Sequence, residues 1–233
     1  MPAAESVGRM IGRGLGPVVR STPQAAGGVL RRLLEVAIDG SGRLPSAKAS
    51  AAKQFQRYSG SVEGAIDGIV DLHVRLASVQ GFATNIGGIA AMPIMLPANL
   101  TGVAVLQTRM VAAIAHLRGY DLDDNRVRTA LIMCLLGGEQ MARRILDGTL
   151  PTSPLAVATA PMFDPELDAR VAQQVLRDLT ARVGGKNVAL TIMRRLPLVG
   201  GGVGAAMDGI STHQIGTYAK GELVTRRMGL GYR

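Results

Sequence analysis

The stretch LASVQGFATNIGGIAAMPIMLPANLTGVAVLQT, residues 76–108, contains no charged residue. Its central part, residues 83–106, has the length of a bilayer span, because about 20 apolar residues cross the hydrocarbon core. Pro93 and Pro97 oppose a span, since each proline removes a backbone donor and tends to break or kink a helix. The stretch therefore predicts two apolar helical pieces with a bend between Met92 and Pro97, buried at the centre of a helical bundle. Insertion into a membrane remains the alternative.

Helix start signals surround this stretch. Pro23 suits a first helical turn, and Ser61, the acidic run 121–124 and Asp164 precede apolar runs of helical spacing and predict N-caps. No segment alternates apolar and polar residues as a half-buried strand does. The sequence therefore predicts an all-α fold, a single helical bundle with long Gly/Ala-rich central helices and no β-sheet.

Residues that favour loops predict where three of the helical segments begin or end. The helix after the acidic run is expected to continue from Val127 to Ile145. The Pro/Thr/Ser/Ala-rich residues 148–161 are predicted to form a loop. The helix that begins near Pro165 is expected to end at the glycine pair 184–185, before a short basic helix.

A second segment of small residues, LPLVGGGVGAAMDGISTHQIGTYA, covers residues 196–219. Small residues four apart let helices approach closely, so this segment predicts helix packing rather than a phosphate loop, which would need a preceding strand. The residues predicted to serve helix packing in the two apolar segments are Gly87, Gly88, Pro93, Pro97, Gly200 and Gly204.

The chain is predicted to consist of a flexible basic arm, residues 1–22, and a single helical domain, residues 23–228. The arm lacks the continuous apolar core of a signal peptide. The net charge of +9 favours an anionic partner, such as a membrane surface or an acidic face of a membrane protein. Nucleic acid is disfavoured because basic patches with interleaved aromatic residues are missing. The single Cys134 fits a reducing compartment, and a cytoplasmic location, peripheral to the inner membrane in the alternative, is expected.

No catalytic, cofactor-binding or metal-binding motif is present in the sequence. His73, His116 and His213 show no metal-ligand spacing, and each is expected to be a core or boundary residue. The polar residues of interest on the two apolar segments are Gln107, Arg109, Asp208 and His213. One hypothesis pairs Asp208 with Arg109 across the two helices. The alternative is that the carboxylate bonds locally to Ser211 and Thr212 or faces water.

The block GFATNIGGIAAMPIMLPANLTGVAVLQTRMVAAIAHLRGYDLDD, residues 81–124, resembles the signature block of the EcsC family. RLPLVGGGVGAAMDGISTHQIGTYA, residues 195–219, is similar to that family's second block. Asn85 departs from the pattern, which has glycine there. The family is named after a protein encoded beside an ABC transporter, and its molecular activity is not established. The resemblance implies a bacterial helical protein in the cytoplasm or at the inner membrane, and it transfers no catalytic residue.

Three functions from different classes follow. The first is a non-catalytic protein that works at the cytoplasmic face of the membrane, where its basic ends meet anionic lipid in a salt-sensitive way. The second is a hydrolase with an unrecognised polar site between the Gly-rich helices. The third is a helical bundle that binds a small hydrophobic ligand. The sequence assigns no oligomeric state.

Overall fold

A computed structural model describes residues 23–40, 45–86, 92–193 and 199–226. Within these ranges the regular secondary structure is helical and no strand occurs, which confirms the predicted all-α class. The helices are α1 (Pro23–Asp39), α2 (Ala47–Arg57), α3 (Val62–Ile86), α4 (Met92–Leu117), α5 (Asn125–Cys134), α6 (Gly138–Leu146), α7 (Pro154–Ala158), α8 (Pro165–Met193) and α9 (Val199–Glu222).

Short polar side chains cap several of these helices. The hydroxyl of Ser61 accepts a hydrogen bond from the amide of Gly64 at the start of α3, at 3.2 Å. At the start of α5, Asp124 Oδ1 lies 2.9 Å from the amide nitrogen of Arg126. Asp164 accepts in the same way at the start of α8. Each cap satisfies an N–H group that the helix itself leaves without a partner, and all three were predicted.

Helix α4 lies at the centre of the described structure. Every residue from Val103 to Ala115 is buried, and the helix packs against α1, α2, α3 and α9. Burial on all sides explains why this part of the sequence is apolar throughout rather than amphipathic. The predicted buried central helix is therefore confirmed for residues 103–108 of the charge-free stretch.

Helices α3 and α9 form a closely packed antiparallel pair. Lys220 of α9 binds Asp67 near the start of α3, whereas Gly209 lies against Ser78, eleven residues further along α3. A Cβ atom at Gly216 would lie 3.0 Å from both Cγ atoms of Val70. The close approach of α9 to α3 therefore needs glycine at position 216, since a methyl group would crowd the valine.

The prolines of the charge-free stretch do not interrupt α4, which runs through both Pro93 and Pro97. The bend between Met92 and Pro97 stays a prediction, because a helix can kink at a proline without ending. Pro93 is the second residue of the helix, where its missing N–H would have no partner anyway, and Pro97 removes only one further bond. The expected pair of helical pieces is present, because α3 ends at Ile86 and α4 begins at Met92.

Three expectations about segments rich in glycine or proline are wrong. Helix α8 continues through the glycine pair 184–185 to Met193, because two glycines cost only about 2 kcal/mol in a helix of 29 residues. The helix expected from Val127 to Ile145 is divided at Gly137. Gly137 has a left-handed φ of 78°, which glycine adopts readily, and α6 begins at the next residue, Gly138. The expected loop 148–161 contains the short helix α7, which Ser153 caps.

Several predicted features lie outside the described part of the chain. These are the basic arm, residues 1–22, and the glycines Gly87 and Gly88. Gly200 and Gly204 lie in the first turns of α9, and their contacts are outside the described side chains. None of the helices in the described ranges is both long enough and apolar enough to cross a membrane.

Candidate functional site

Three of the four polar residues singled out from the sequence line one cleft. Gln107 comes from α4, whereas Asp208 and His213 come from α9. The cleft has a volume of about 790 Å3, and the start of α6 and the middle of α8 complete its walls. Arg109 does not line it, because residues two apart on a helix point to different sides. The structure therefore brings together Gln107, Asp208 and His213, and separates Arg109 from them.

The floor of the cleft is buried, while its rim is exposed. Val103, Ala104 and Leu136 form an apolar part of the floor. The rim carries exposed polar side chains, including those of Glu139 and Gln214. An apolar floor with a few polar groups is the usual composition of a small-molecule site, and the volume falls within the usual range of roughly 300–1,000 Å3.

Gln107 connects α4 to α9. Its Nε2 atom donates hydrogen bonds to Ser211 Oγ at 3.0 Å and to Thr212 Oγ1 at 3.1 Å. The Gln107 side chain is buried with 2% of its surface exposed, and Thr212 is fully buried. These bonds therefore lie where water does not compete, and they satisfy both amide protons.

The proposed pairing of Asp208 with Arg109 is wrong. Both residues are buried, yet no ion pair joins them among the described residues. The hydroxyls of Ser211 and Thr212, the local partners considered for Asp208, accept hydrogen bonds from the Gln107 amide and keep their own O–H donors. The rotation of α4 explains the failure, since its Gln107 side faces α9 and its Arg109 side does not.

Arg109 instead lies near His73 of α3. His73 is fully buried, and its Nδ1 atom lies 2.8 Å from the carbonyl oxygen of Ile69. Burial lowers the pKa of His73 to about 4, and the positive charge of Arg109 acts in the same direction. The predicted role of His73 as a core residue with a hydrogen bond is confirmed. Its Nε2 atom and the Nε atom of Arg109 are buried without hydrogen-bond partners.

The hydrolase alternative stays a prediction. Activation of Ser211 would need a base within hydrogen-bond reach, and no hydrogen bond joins His213 to Ser211 in the described ranges. Cys134 is fully buried, and burial raises the pKa of its thiol, which fits the predicted packing role. The described residues also contain no cluster of three or more His, Cys, Asp or Glu suited to a metal ion.

Sequence reasoning missed the glycines that set the helix spacing. Gly209 and Gly216 of α9 face α3, and Gly102 of α4 faces Gln80. The signal was available, because Gly209 and Gly216 are seven residues apart and so share one side of a helix. Ser211 and Thr212 were named only as local partners of Asp208.

No protein-family model, curated protein or solved structure matches this chain.

Proposed function

We propose that this chain is a non-catalytic helical protein that acts at the cytoplasmic face of a membrane. Its partner there is anionic lipid or a membrane protein such as an ABC transporter, which is also the setting that the resemblance to the EcsC family implies. The observation that carries the proposal is a group of four exposed apolar side chains on the α3/α9 pair, called here the apolar patch: Leu76, Val79, Met207 and Ile210.

The register of the antiparallel pair places these four side chains at one level. Since Gly209 faces Ser78, Ile210 lies at the level of Leu76 and Met207 at the level of Val79. Val79 and Ile210 have 51% and 60% of their surfaces exposed. Single exposed apolar residues are ordinary on a protein surface, but several at one level on adjacent helices indicate an interaction surface.

Charge is distributed unequally along the same pair. The opposite end carries Glu63, Asp67 and Lys220, which form ion pairs across the helices. Towards the patch, the sequence has no charge from residue 76 to residue 108, and the only charge from residue 196 to residue 219 is the buried Asp208. The patch end therefore presents apolar surface with no exposed carboxylate from these segments.

The neighbouring basic residues favour an anionic surface as the partner. Between residues 179 and 198 the chain has four basic residues and no acidic one: Arg182, Lys186, Arg194 and Arg195. This segment leads directly into α9, whose first half carries part of the patch. An apolar patch on a helix that follows a basic stretch of sequence suits the interface of a bilayer with anionic headgroups.

Flotation of the full-length chain with vesicles tests this proposal. Binding to vesicles containing phosphatidylglycerol should exceed binding to phosphatidylcholine vesicles at low salt, and it should weaken as salt screens the headgroups. The double variant Val79→Ser, Ile210→Ser should bind about tenfold more weakly, because it loses roughly 1–2 kcal/mol of apolar burial. Leu146→Ser is the matched control, since Leu146 has 87% of its surface exposed on α6, outside the patch. Equal flotation of the double variant and the wild type would contradict the proposal.

A further inference from the structure

The cleft beside Gln107 is a separate feature from the apolar patch, apart from Met207, which belongs to both. Its floor reaches the middle of α4, and its walls come from three other helices. The cleft is partly open to solvent, and its volume of about 790 Å3 lies in the usual range of small-molecule sites. Ligand binding in this cleft is therefore considered separately from membrane association.

Gln107 offers a hydrogen-bond acceptor in the floor of the cleft. Both protons of the Gln107 amide are used by Ser211 and Thr212. Its Oε1 atom accepts no hydrogen bond from any residue in the described ranges, although the side chain has only 2% of its surface exposed. Oε1 is not one of the fully buried side-chain atoms that lack a partner, so it is accessible from the cleft, where a donor on a ligand, such as a hydroxyl group, can replace water.

The charges around the cleft disfavour an anionic ligand. No Lys or Arg is present among the described residues that line it, whereas the exposed carboxylate of Glu139 is. A ligand carboxylate or phosphate would therefore lose its hydration without gaining a cation in the described wall. The remaining polar groups of the lining include amides, hydroxyls and an imidazole, which suit a neutral polar group.

The rest of the wall is apolar. Val103, Ala104, Leu136, Leu179 and Ile215 are buried residues that line the cleft. Such a surface suits a hydrocarbon chain, which gains free energy in proportion to the apolar area that it removes from water. The ligand therefore combines a neutral hydroxyl-bearing head with an apolar chain.

We propose that this cleft binds a neutral single-chain amphiphile, with a hydroxyl of the head group donating to Gln107 Oε1 and the chain lying against the apolar wall. The proposal goes beyond membrane association, because it concerns monomeric ligand taken up from water. It identifies the ligand by chemical class: neutral head, hydroxyl donor, one apolar chain.

Titration with two probes of equal chain length tests the ligand class. Monolauroylglycerol and laurate, both below their micelle-forming concentrations, are added to the full-length chain in vesicle-free buffer, and heat or displacement of Nile red reports binding. Monolauroylglycerol should bind at least tenfold more tightly than laurate. Equal or tighter binding of laurate, or binding of neither probe, would overturn the proposal.

Variants of the cleft residues then test the position of the binding site. Ala104→Phe fills the floor and should abolish binding of monolauroylglycerol, whereas Gln107→Leu should weaken it about tenfold by removing the acceptor. The control Leu146→Ser lies outside the cleft and should bind as the wild type does. The patch variant Val79→Ser, Ile210→Ser should also retain binding, so loss of membrane association and loss of ligand binding can be told apart. Unchanged binding by Ala104→Phe would contradict the assignment.

A measurement on the wild-type chain covers the case in which a cleft variant does not fold. A monoacylglycerol with a diazirine in its chain should, on illumination, form covalent adducts that map to residues 103–107 and 207–218. Adducts confined to other peptides would overturn the location of the site.

Discussion

Gln107 of α4 donates a hydrogen bond to Thr212 of α9, with 3.1 Å between Nε2 and Oγ1, across 105 positions of sequence. The bond joins the central helix α4 to the α3/α9 pair. Because a buried amide that loses its partner pays the cost of desolvation, this bond fixes the rotation of α9 relative to α4.

Removal of the Gln107 amide should therefore destabilise the fold. Gln107→Met keeps the approximate volume and should lower the free energy of unfolding by about 1–3 kcal/mol, since the hydroxyls of Ser211 and Thr212 lose a donor. Denaturant unfolding of Gln107→Met, Thr212→Val and the double variant measures the coupling, which should be about 0.5–2 kcal/mol. Thr108→Val is the matched control, because Thr108 bonds to the Ala104 carbonyl of its own helix. Coupling of Gln107 to Thr108 as large as that to Thr212 would contradict this description.

Gly216→Ala should show how closely α9 packs on its neighbours. The new Cβ atom would lie 3.0 Å from the Val70 methyl carbons and 3.1 Å from the sulfur of Met110, so these buried side chains must move by a few tenths of an ångström. We expect a loss of about 1–3 kcal/mol in thermal or denaturant unfolding. In Gly28→Ala the new Cβ atom meets nothing within 4 Å, so this control on α1 should gain about 0.5–1 kcal/mol from helix propensity. Similar effects of the two substitutions would rule out close packing at Gly216.

Arg109→Met should leave stability unchanged or increase it. The Arg109 side chain has 4% of its surface exposed, and burial lowers its pKa. In the described ranges it forms no ion pair or hydrogen bond, so an apolar residue of similar length avoids the cost of burying a charge. Arg109→Lys keeps the charge and should show no gain. A loss of about 3–5 kcal/mol in Arg109→Met would instead indicate a buried charge partner.

The stability of the protein should depend on pH through His73. Its pKa falls from 6.5 to about 4 on folding, so between these values the unfolded chain binds a proton that the folded chain does not. The free energy of unfolding is therefore highest above pH 6.5 and should decrease by roughly 3 kcal/mol as the pH falls to 4. His73→Gln should remove this part of the decrease in urea titrations at pH 4.5 and 7. An identical pH dependence in the variant would show that His73 does not titrate this way.

Local features of the fold could be read from the sequence because each depends on a few neighbouring residues. Ser61, Asp124 and Asp164 cap helices as predicted, since an N-cap needs only a short acceptor before an apolar run. The extent of α8 could not be read in this way. The helix continues through the glycine pair 184–185, because two glycines cost only about 2 kcal/mol in a helix of 29 residues.

The candidate site was only partly predictable. Gln107, Asp208 and His213 stood out as rare polar residues on apolar helices, and they do line one cleft. Their partners depend on how α4 and α9 are rotated against each other, which no short-range pattern encodes. Gln107 and Arg109 are two residues apart and cannot both face α9, so the pairing of Arg109 with Asp208 fails because Gln107 faces that helix.

The central claim is that the apolar patch enters the interface of an anionic membrane, and an immersion-depth measurement addresses it directly. A nitroxide is attached to Val79→Cys in the patch or to Asp71→Cys, two turns earlier on the exposed side of α3. The native Cys134 does not compete for the label, because it is fully buried and burial raises the pKa of its thiol.

Power-saturation electron paramagnetic resonance compares the collisions of each label with oxygen and with a water-soluble nickel complex. When vesicles containing phosphatidylglycerol are added, oxygen collisions at position 79 should rise and nickel collisions should fall, whereas the label at position 71 should stay in water. Labels at both positions that remain equally accessible to the nickel complex, with and without vesicles, would contradict the account.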